Sequence, residues 1–509
     1  MRAVPAPSIP SVPVLSPADA GALEVRLLGG DERREWKAML QAGRSAAEAM
    51  LRDYSEIGSF PAGARVLVLA GKGNNAGDAL IAAREILERF PRATADVLFA
   101  FGPRNLKPLA SRAWRGLCEA GRSRARSVGV DALSPSYELS IDGIFGFQYR
   151  PPLPPEARAA LAADAGRLIR FRASIDLPTG LDEEGAYRAD FTYATGSVKA
   201  PVIGCANAGR PRYLDLGFFD AEEADGRGGG DRVLISSILE PLSGLRPASS
   251  DKRSQGHLLV VGGSEGFPGA ALMMTLSALK SGVGLVTACV PARLAPVYAA
   301  HAPEAMWIGL PETPGGGLSR RGLAKILKGA ERATALAIGP GLGRDPETHK
   351  LALAVVKAAH VPLVIDADAL QPDIVRVGNA RRILTPHAGE LERISKGAAL
   401  RTLSRSLPAV VVAKGPVTRI CSGEAVYHAL FGGPVLSRGG SGDLLAGLTG
   451  GLLAQTPSDP LLAACRAAAW HGIAADHLAR ARGQTAVQIL EWLDFLAPAL
   501  RESGPCGAS

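Results

Sequence analysis

The sequence predicts two consecutive parallel α/β domains, and three observations lead to that fold class. Short β-rich runs are each followed by a Gly-rich turn and then a helical pattern, the grammar of parallel sheets covered by helices. That grammar occurs in both halves of a 509-residue chain, a length too great for one hydrophobic core. Between the halves, residues 221–230 read AEEADGRGGG, the polar, Gly-rich composition of a linker.

Taken in order, residues 1–21 are rich in Pro, Ala and Ser and lack a long apolar stretch, so they are expected to form a loose N-terminal arm rather than a secretory signal. The first domain is placed at 22–222, the linker at 223–231 and the second domain at 232–505. In the first, Val66 to Leu69 reads as a buried strand, Gly71 to Asp78 as a loop, Ala79 to Phe90 as a helix of good formers, and Val97 to Phe101 as the next strand. In the second, Leu258 to Val261, Ala335 to Ile338, Leu363 to Ile365 and Val410 to Ala413 read as strands with helices between them.

Composition narrows the function classes. Hydrophobic residues make up 47% of the chain and charged ones 21%, which excludes a disordered chain, and 97 Gly and Pro residues without a repeat exclude a collagen-like one. The net charge of +8 is modest and no dense Lys/Arg tract exists, so nucleic acid and acidic membrane surfaces are not indicated and anionic small molecules suit the charge equally well; small-molecule substrates, with no nucleic acid and no membrane, are the partners expected. No apolar run approaches the roughly 18 residues needed to span a bilayer. Six cysteines without a CxxC pair argue against a disulfide framework or zinc site and favour a reducing, cytoplasmic setting. All eight histidines lie at His257 or later, so chemistry in the first half must run on carboxylates, amides, Lys or a bound ion.

In the first half, Gly71-Lys72-Gly73-Asn74-Asn75-Ala76 follows a strand and precedes a helix, a loose GxGxxG/A pattern that would rest a phosphate or dinucleotide on the helix N-terminus. The next strand runs into Gly102-Pro103-Arg104 and lacks the acid that an ordinary nicotinamide dehydrogenase uses to hold ribose. Two amides and a carboxylate in Asn74 to Asp78 supply hard oxygen ligands and hydrogen bonds instead. Two further apolar runs end in Asp, at Asp142 (SIDGIFG) and Asp176 (SIDLPTGLD), and strand ends of one sheet share one crevice.

GKGNNAGDALIAAR, IDGIFG and IDLPTGLD, in this order and spacing, resemble the signatures of the NAD(P)H-hydrate epimerase family, and ADFTYATGSVKAP and YLDLGF resemble its closing strands. The resemblance implies a Rossmann-like three-layer domain in which Asn75, Asp142 and Thr179 hold a potassium ion. It further implies that Asn74, Asn75, Ala76, Gly77 and Asp78, the loop Gly146, Phe147, Gln148, Tyr149, Arg150, Pro151 and Pro152, and Asp176 surround the hydrated nicotinamide nucleotide. Asp142 or Asp176 would be the proton acceptor, since epimerising a hydrated ring carbon requires acid/base help to expel and readmit the hydroxyl. The family loop usually reads GNNGGDG, so Ala76 and Ala79 replace Gly, and their methyls are expected to restrict positive φ or close backbone approach.

In the second half, Gly439-Gly440-Ser441-Gly442-Asp443 feeds N–H groups and a positive helix end toward one point with a carboxylate at its rim. That suits phosphoryl transfer, with Asp443 taking the proton of an attacking hydroxyl. The following helix is apolar all round, hence buried. Loops at Gly262 to Ala271, Gly339 to Gly343, Asp366 to Leu370, Thr385 to Glu390 and Lys414 to Pro416 also follow strands, so they should converge on one sheet edge. VVGGSEGFPGAA, AIGPGLG, VIDADAL, LTPHAGE, VVAKG and GGSGDLLAG resemble the ADP- or ATP-dependent NAD(P)H-hydrate dehydratase family, which has a ribokinase-like three-layer fold.

That resemblance implies that Ala270, Gly341, Gly343 and His387 bind the hydrated nucleotide. Lys414, Gly415, Pro416, Val417, Thr418, Gly440, Ser441 and Gly442 would bind ADP, with ATP the second choice, and Asp443 would be the catalytic base. Magnesium would bridge the nucleotide phosphates, with Glu390 a candidate for its water shell, and a homo-oligomer is expected. Asp366 and Asp368 are read as orienting neighbouring loops, and His471 and His477, six apart on a helix, as structural. The alternatives are a small-alcohol kinase of the ribokinase-like type, with the first domain as a noncatalytic nucleotide-binding or oligomerisation module.

Overall fold

The computed structural model describes residues 9–220, 223, 230–407 and 409–502. The chain divides into two compact units, one built from residues 13–223 with 480–484, the other from 224–479 with the N-terminal 1–12 and the C-terminal 485–509.

The first unit holds a seven-stranded, all-parallel sheet in the spatial order Ala125–Ser127, Thr94–Phe99, Arg65–Ala70, Ser136–Gly143, Leu168–Ile175, Phe191–Thr195, Arg210–Leu214. Both faces of the central strand are covered, because successive side chains point opposite ways. Val66 and Val68 enter the core formed with helices Glu32–Tyr54, Asn74–Arg89 and Pro108–Gly121. Leu67 and Leu69 enter the opposite core, with helix Pro155–Ala165. The chain leaves Arg65–Ala70 to one side for Thr94–Phe99 and later returns to its other side with Ser136–Gly143. This order reversal opens a crevice beyond the C-terminal strand ends.

The second unit repeats the layering on a larger sheet: Met306–Leu310, Leu285–Pro291, His257–Val261, Ala335–Ile338, Leu363–Ile365, Arg382–Leu384, Ala409–Ala413, Thr418–Ser422, Ala425–Ala429 and Gly230–Leu234. Only Thr418–Ser422 runs antiparallel to its neighbours. Leu258 and Val260 face helices Pro268–Lys280, Ser441–Gln455 and Pro460–Arg482, whereas Leu259 and Val261 face Leu323–Ala330, Pro346–Ala358 and Ala388–Ser395. Its reversal lies between His257–Val261 and Ala335–Ile338.

Both halves are therefore three-layer α/β structures, as the sequence predicts, and no helix of the described residues is long and apolar enough to cross a membrane. Three local expectations are corrected. Within the expected loose arm, Ile9 is fully buried, Ser11–Leu15 is a strand, and helix Pro17–Leu28 begins with Ser16 accepting the Asp19 N–H. Apolar residues too sparse to read as an element still bury here, because the folded chain offers them a partner surface. Gly230 and Asp231 of the expected linker open the strand Gly230–Leu234, while residues 224–229 lie outside the described ones. The Gly71 to Asp78 loop ends at Gly73, and Asn74 already starts the helix.

Candidate active site

In the first unit, a cavity of about 510 Å³ opens at the sheet's reversal, lined by Lys72 to Asn75, Asp78, Ile144 to Arg150 and Asp176, together with Glu24, Phe101 and Lys107. Helix Asn74–Arg89 presents its N-terminus here, with Gly73 as its cap residue, so the positive helix end meets the cavity. Ala76 and Ala79 occupy the interior of that helix, fully buried, and neither adopts positive φ. The expected backbone restriction is absent, since a right-handed helix suits Ala better than Gly. Close approach is provided from the other side: a Cβ on Gly143 would lie 2.5 Å from the Ala79 Cβ.

Asp142, at the end of its strand, is fully buried. Its Oδ2 accepts the Thr179 N–H at 2.7 Å and the Ser174 hydroxyl at 3.2 Å, and its Oδ1 accepts the Thr179 hydroxyl at 2.8 Å and the Ile144 N–H at 3.2 Å. Burial pushes its carboxyl up to about 6, against those hydrogen bonds. The Thr179 hydroxyl also accepts the Phe145 N–H at 3.1 Å, while Asn75 donates its amide to the Phe145 carbonyl at 2.9 Å. One hydrogen-bond chain thus joins the three proposed cation ligands, and their carboxylate, hydroxyl and amide oxygens are the donor set a hard cation takes.

Asp176 sits at φ 66°, a left-handed conformation that costs a non-Gly residue about 1–3 kcal/mol. It is held there on two sides: Oδ1 receives Lys199 Nζ at 2.5 Å, and Oδ2 accepts the Phe147 N–H at 3.0 Å, which ties the Gly146–Pro152 loop to the sheet. Lys199 is 1% exposed and also donates to the Thr195 carbonyl at 3.0 Å. Removing one member of such a buried pair strands the other, at about 3–5 kcal/mol. Tyr149 of the same loop stacks on Phe145 and donates its hydroxyl to Glu183. Sequence reasoning missed Lys199 and Glu24; the only signal for Lys199 was its place in the SVKAP segment.

In the second unit, the expected loops do meet at one sheet edge. Gly263 donates its N–H to the Pro340 carbonyl at 2.9 Å, Asp366 to Ile338 at 3.1 Å, and Lys414 to Pro386 at 2.9 Å. Ala270 and Gly341 are in contact, as a Cβ on Gly341 would lie 3.0 Å from that of Ala270. The Gly343 N–H bonds Asp368 Oδ2 at 2.9 Å, so Asp368 does orient its neighbour. Asp366, 1% exposed, receives Lys414 Nζ at 3.1 Å.

Gly440, at φ 92°, turns the chain into helix Ser441–Gln455, whose residues from Leu444 to Ala454 are all buried. Asp443 lies in its first turn. Burial, then the charge of Asp366, push the Asp443 carboxyl up to about 7; Lys414 opposes the shift, and Asp368 and Glu390 add to it. A carboxyl tuned near neutrality beside a helix N-terminus is suited to take a hydroxyl proton. Gly442 brings the loop against Lys414, whose Nζ would be 3.2 Å from a Cβ there. Gly415 to Val417 form the turn between strands Ala409–Ala413 and Thr418–Ser422, so the proposed nucleotide residues bracket the same helix end.

His387 caps helix Ala388–Ser395 by accepting the Gly389 and Glu390 N–H groups, and Glu390 Oε2 in turn accepts the His387 N–H at 2.8 Å. This capping box gives both residues a structural duty. His387 also lines a cavity of about 520 Å³ with Arg344, Asp368 and Arg393, the two arginines being unforeseen from the sequence. His471, buried beneath Trp492, contacts the Ser441 carbonyl at 3.2 Å and is pushed down to about 4 by burial, a support for the glycine-rich loop.

The comparisons with known proteins divide the chain at the same two constellations. A family described as NAD(P)H-hydrate dehydratase matches residues 258–494, and one described as YjeF-related protein N-terminus matches residues 37–200. The bifunctional NAD(P)H-hydrate repair enzyme of Moorella thermoacetica is 32% identical over 91% of this chain and 92% of its own length. That of Gloeobacter violaceus is 34% identical, covering 92% and 94%. Among solved structures, the ADP/ATP-dependent NAD(P)H-hydrate dehydratase of Bacillus subtilis is 26% identical over 53% of this chain and 97% of that one, with a TM-score of 0.46. The chain belongs to the family of bifunctional NAD(P)H-hydrate repair enzymes.

Proposed function

We propose that the first unit interconverts the R and S epimers of hydrated NADH and NADPH, and that the second dehydrates the S epimer with ADP, or with ATP, as activating nucleotide. The observation that carries this reading is the convergence of Asp443, Lys414 and Asp366 on the N-terminus of helix Ser441–Gln455, in a chain whose other half matches the family's N-terminal domain. The ring hydroxyl gives its proton to Asp443 and attacks the terminal phosphoryl group, whose charge the Gly440 to Gly442 N–H groups and Lys414 stabilise. Phosphate, a better leaving group than hydroxide, then departs with loss of a ring proton. Ala270, Gly341, Gly343 and His387 would position the nicotinamide nucleotide, and Gly415 to Thr418 the adenine nucleotide. A small-alcohol kinase leaves the match over residues 37–200 unaccounted for.

Asn75, Asp142 and Thr179 would hold potassium, whose positive charge would steady the anionic groups of the substrate; Asp176 would receive a proton. Magnesium would be held by the nucleotide phosphates, with Glu390, 9% exposed, reaching its water shell. The test is recovery of reduced-nicotinamide absorbance from a racemic hydrate mixture with magnesium and either nucleotide. Complete recovery is expected. A stop at half would remove the epimerase reading, and no recovery with either nucleotide would overturn the dehydratase.

A further inference from the structure

The first-unit cavity contains a carboxyl group to which none of the family signatures points. Glu24 projects from helix Pro17–Leu28, outside residues 37–200, which match the family's N-terminal domain. It lines the cavity together with Asp176, Asn74 and Phe147. Its helix is seated on the substrate loop, since a Cβ on Gly21 would lie 3.6 Å from the Phe147 ring. Asp176 has two partners in Lys199 and the Phe147 N–H, whereas Glu24 makes no hydrogen bond or ion pair among the described residues. A half-buried carboxyl with no protein partner, facing a polar cavity, has its hydrogen-bonding capacity free for a ligand.

We propose that Glu24 is the general acid of the epimerisation, paired with Asp176 as the base, a role that rests on the epimerase reading of this cavity. The Glu24 carboxyl gives its proton to the hydroxyl oxygen on the hydrated ring carbon. The carbon–oxygen bond breaks with its electron pair on oxygen, water leaves, and the adjacent ring nitrogen shares its lone pair with the cationic carbon. Water adds to the other face and passes its extra proton to the Asp176 carboxylate. Exchange of one proton with solvent at each carboxyl resets the site, and the reverse epimerisation uses the two groups in exchanged roles. Burial pushes the Glu24 carboxyl up to about 7, with Asp176 and Glu35 adding to the shift and Lys199 opposing it. Asp78, half-buried in the same cavity, is raised by burial and by the charges of Asp176 and Glu24, and is the competing acid.

The experiment measures epimerisation of a single purified epimer by full-length wild-type, Glu24→Gln, Glu24→Asp and Asp78→Asn proteins across pH, with dehydration of the S epimer as the folding control. In the wild type, kcat should fall as pH rises through about 7, where the acid loses its proton. Glu24→Gln should lower kcat by about 100-fold or more, the usual contribution of a general acid, and abolish that alkaline limb with KM little changed. Glu24→Asp should restore part of the rate and the limb. Activity of Glu24→Gln near that of the wild type, or loss of the limb in Asp78→Asn but not in Glu24→Gln, would overturn the proposal. A wild-type protein that dehydrates but does not epimerise would remove the epimerase reading itself, and the proposal with it.

Discussion

One lysine sets the charge balance of the second site. Lys414 Nζ lies 3.1 Å from Asp366 Oδ1 and 3.9 Å from Glu390 Oε2, and its positive charge holds down the pKa of Asp443 while burial and three acids raise it to about 7. Because a base works ionised, dehydration should rise as pH rises through about 7. Replacing Lys414 with Met removes the opposing charge, so the acidic limb of the kcat/KM profile should move to higher pH; a limb that stays in place would dissociate Lys414 from Asp443. Asp443, Asp142 and Asp176 were legible because each stands in a signature that also fixes its place at a strand or helix end. Lys199, Glu24, Arg344 and Arg393 were not, because nothing local distinguishes a charged residue that reaches a cavity from one that faces water. Only the folded chain brings Lys199 to Asp176, across 23 positions.

At the scale of elements, the helix Asn74–Arg89 and the strand Ser136–Gly143 form a close joint of the first site. A Cβ on Gly143 would lie 2.5 Å from the Ala79 Cβ and 2.8 Å from the Asn75 carbonyl. Gly143→Ala should therefore destabilise the first unit by about 1–3 kcal/mol, the usual cost of overpacking, and displace Asn75 from the Phe145 carbonyl. Chemical denaturation measures it, and Ala79→Gly in the same chain should recover only part, since the Asn75 carbonyl remains in the way. Ala79, which looked like a departure, thus fills space that the strand leaves by having glycine. The boundary error at Asn74 has a related origin. Asn, Asn, Gly and Asp describe a turn as well as they describe the first turn of a helix, and sequence composition does not separate the two. The strands Ala335–Ile338 and Leu363–Ile365 were read with their true bounds, because short β-branched and aliphatic runs closed by Gly-Pro or Asp admit few alternatives.

At the scale of the whole molecule, the two family matches fall on different stretches of the chain, residues 37–200 and 258–494. Each unit has its own pair of cores. Every residue that lines the first cavity falls between Glu24 and Thr195, and those lining the cavities around Asp368 fall between Leu342 and Arg393. Asp443 and the first cavity thus stand on different stretches of chain, so chemistry at one should survive loss of the other. Asp443→Asn removes the base while keeping the shape of the side chain. It should abolish nucleotide-dependent dehydration and leave epimerisation at the wild-type rate. Starting from one purified epimer, the variant should bring the two to equilibrium with no gain in reduced-nicotinamide absorbance. The wild type should drain both through dehydration. Loss of both activities in a variant that still unfolds cooperatively would mean that the sites depend on each other, against their separate cores. The physical gain of joining them follows from the substrate: if only one epimer is dehydrated, repair of a racemic pool stalls at half unless the other is converted. A chain that carries both catalysts keeps them in fixed one-to-one proportion.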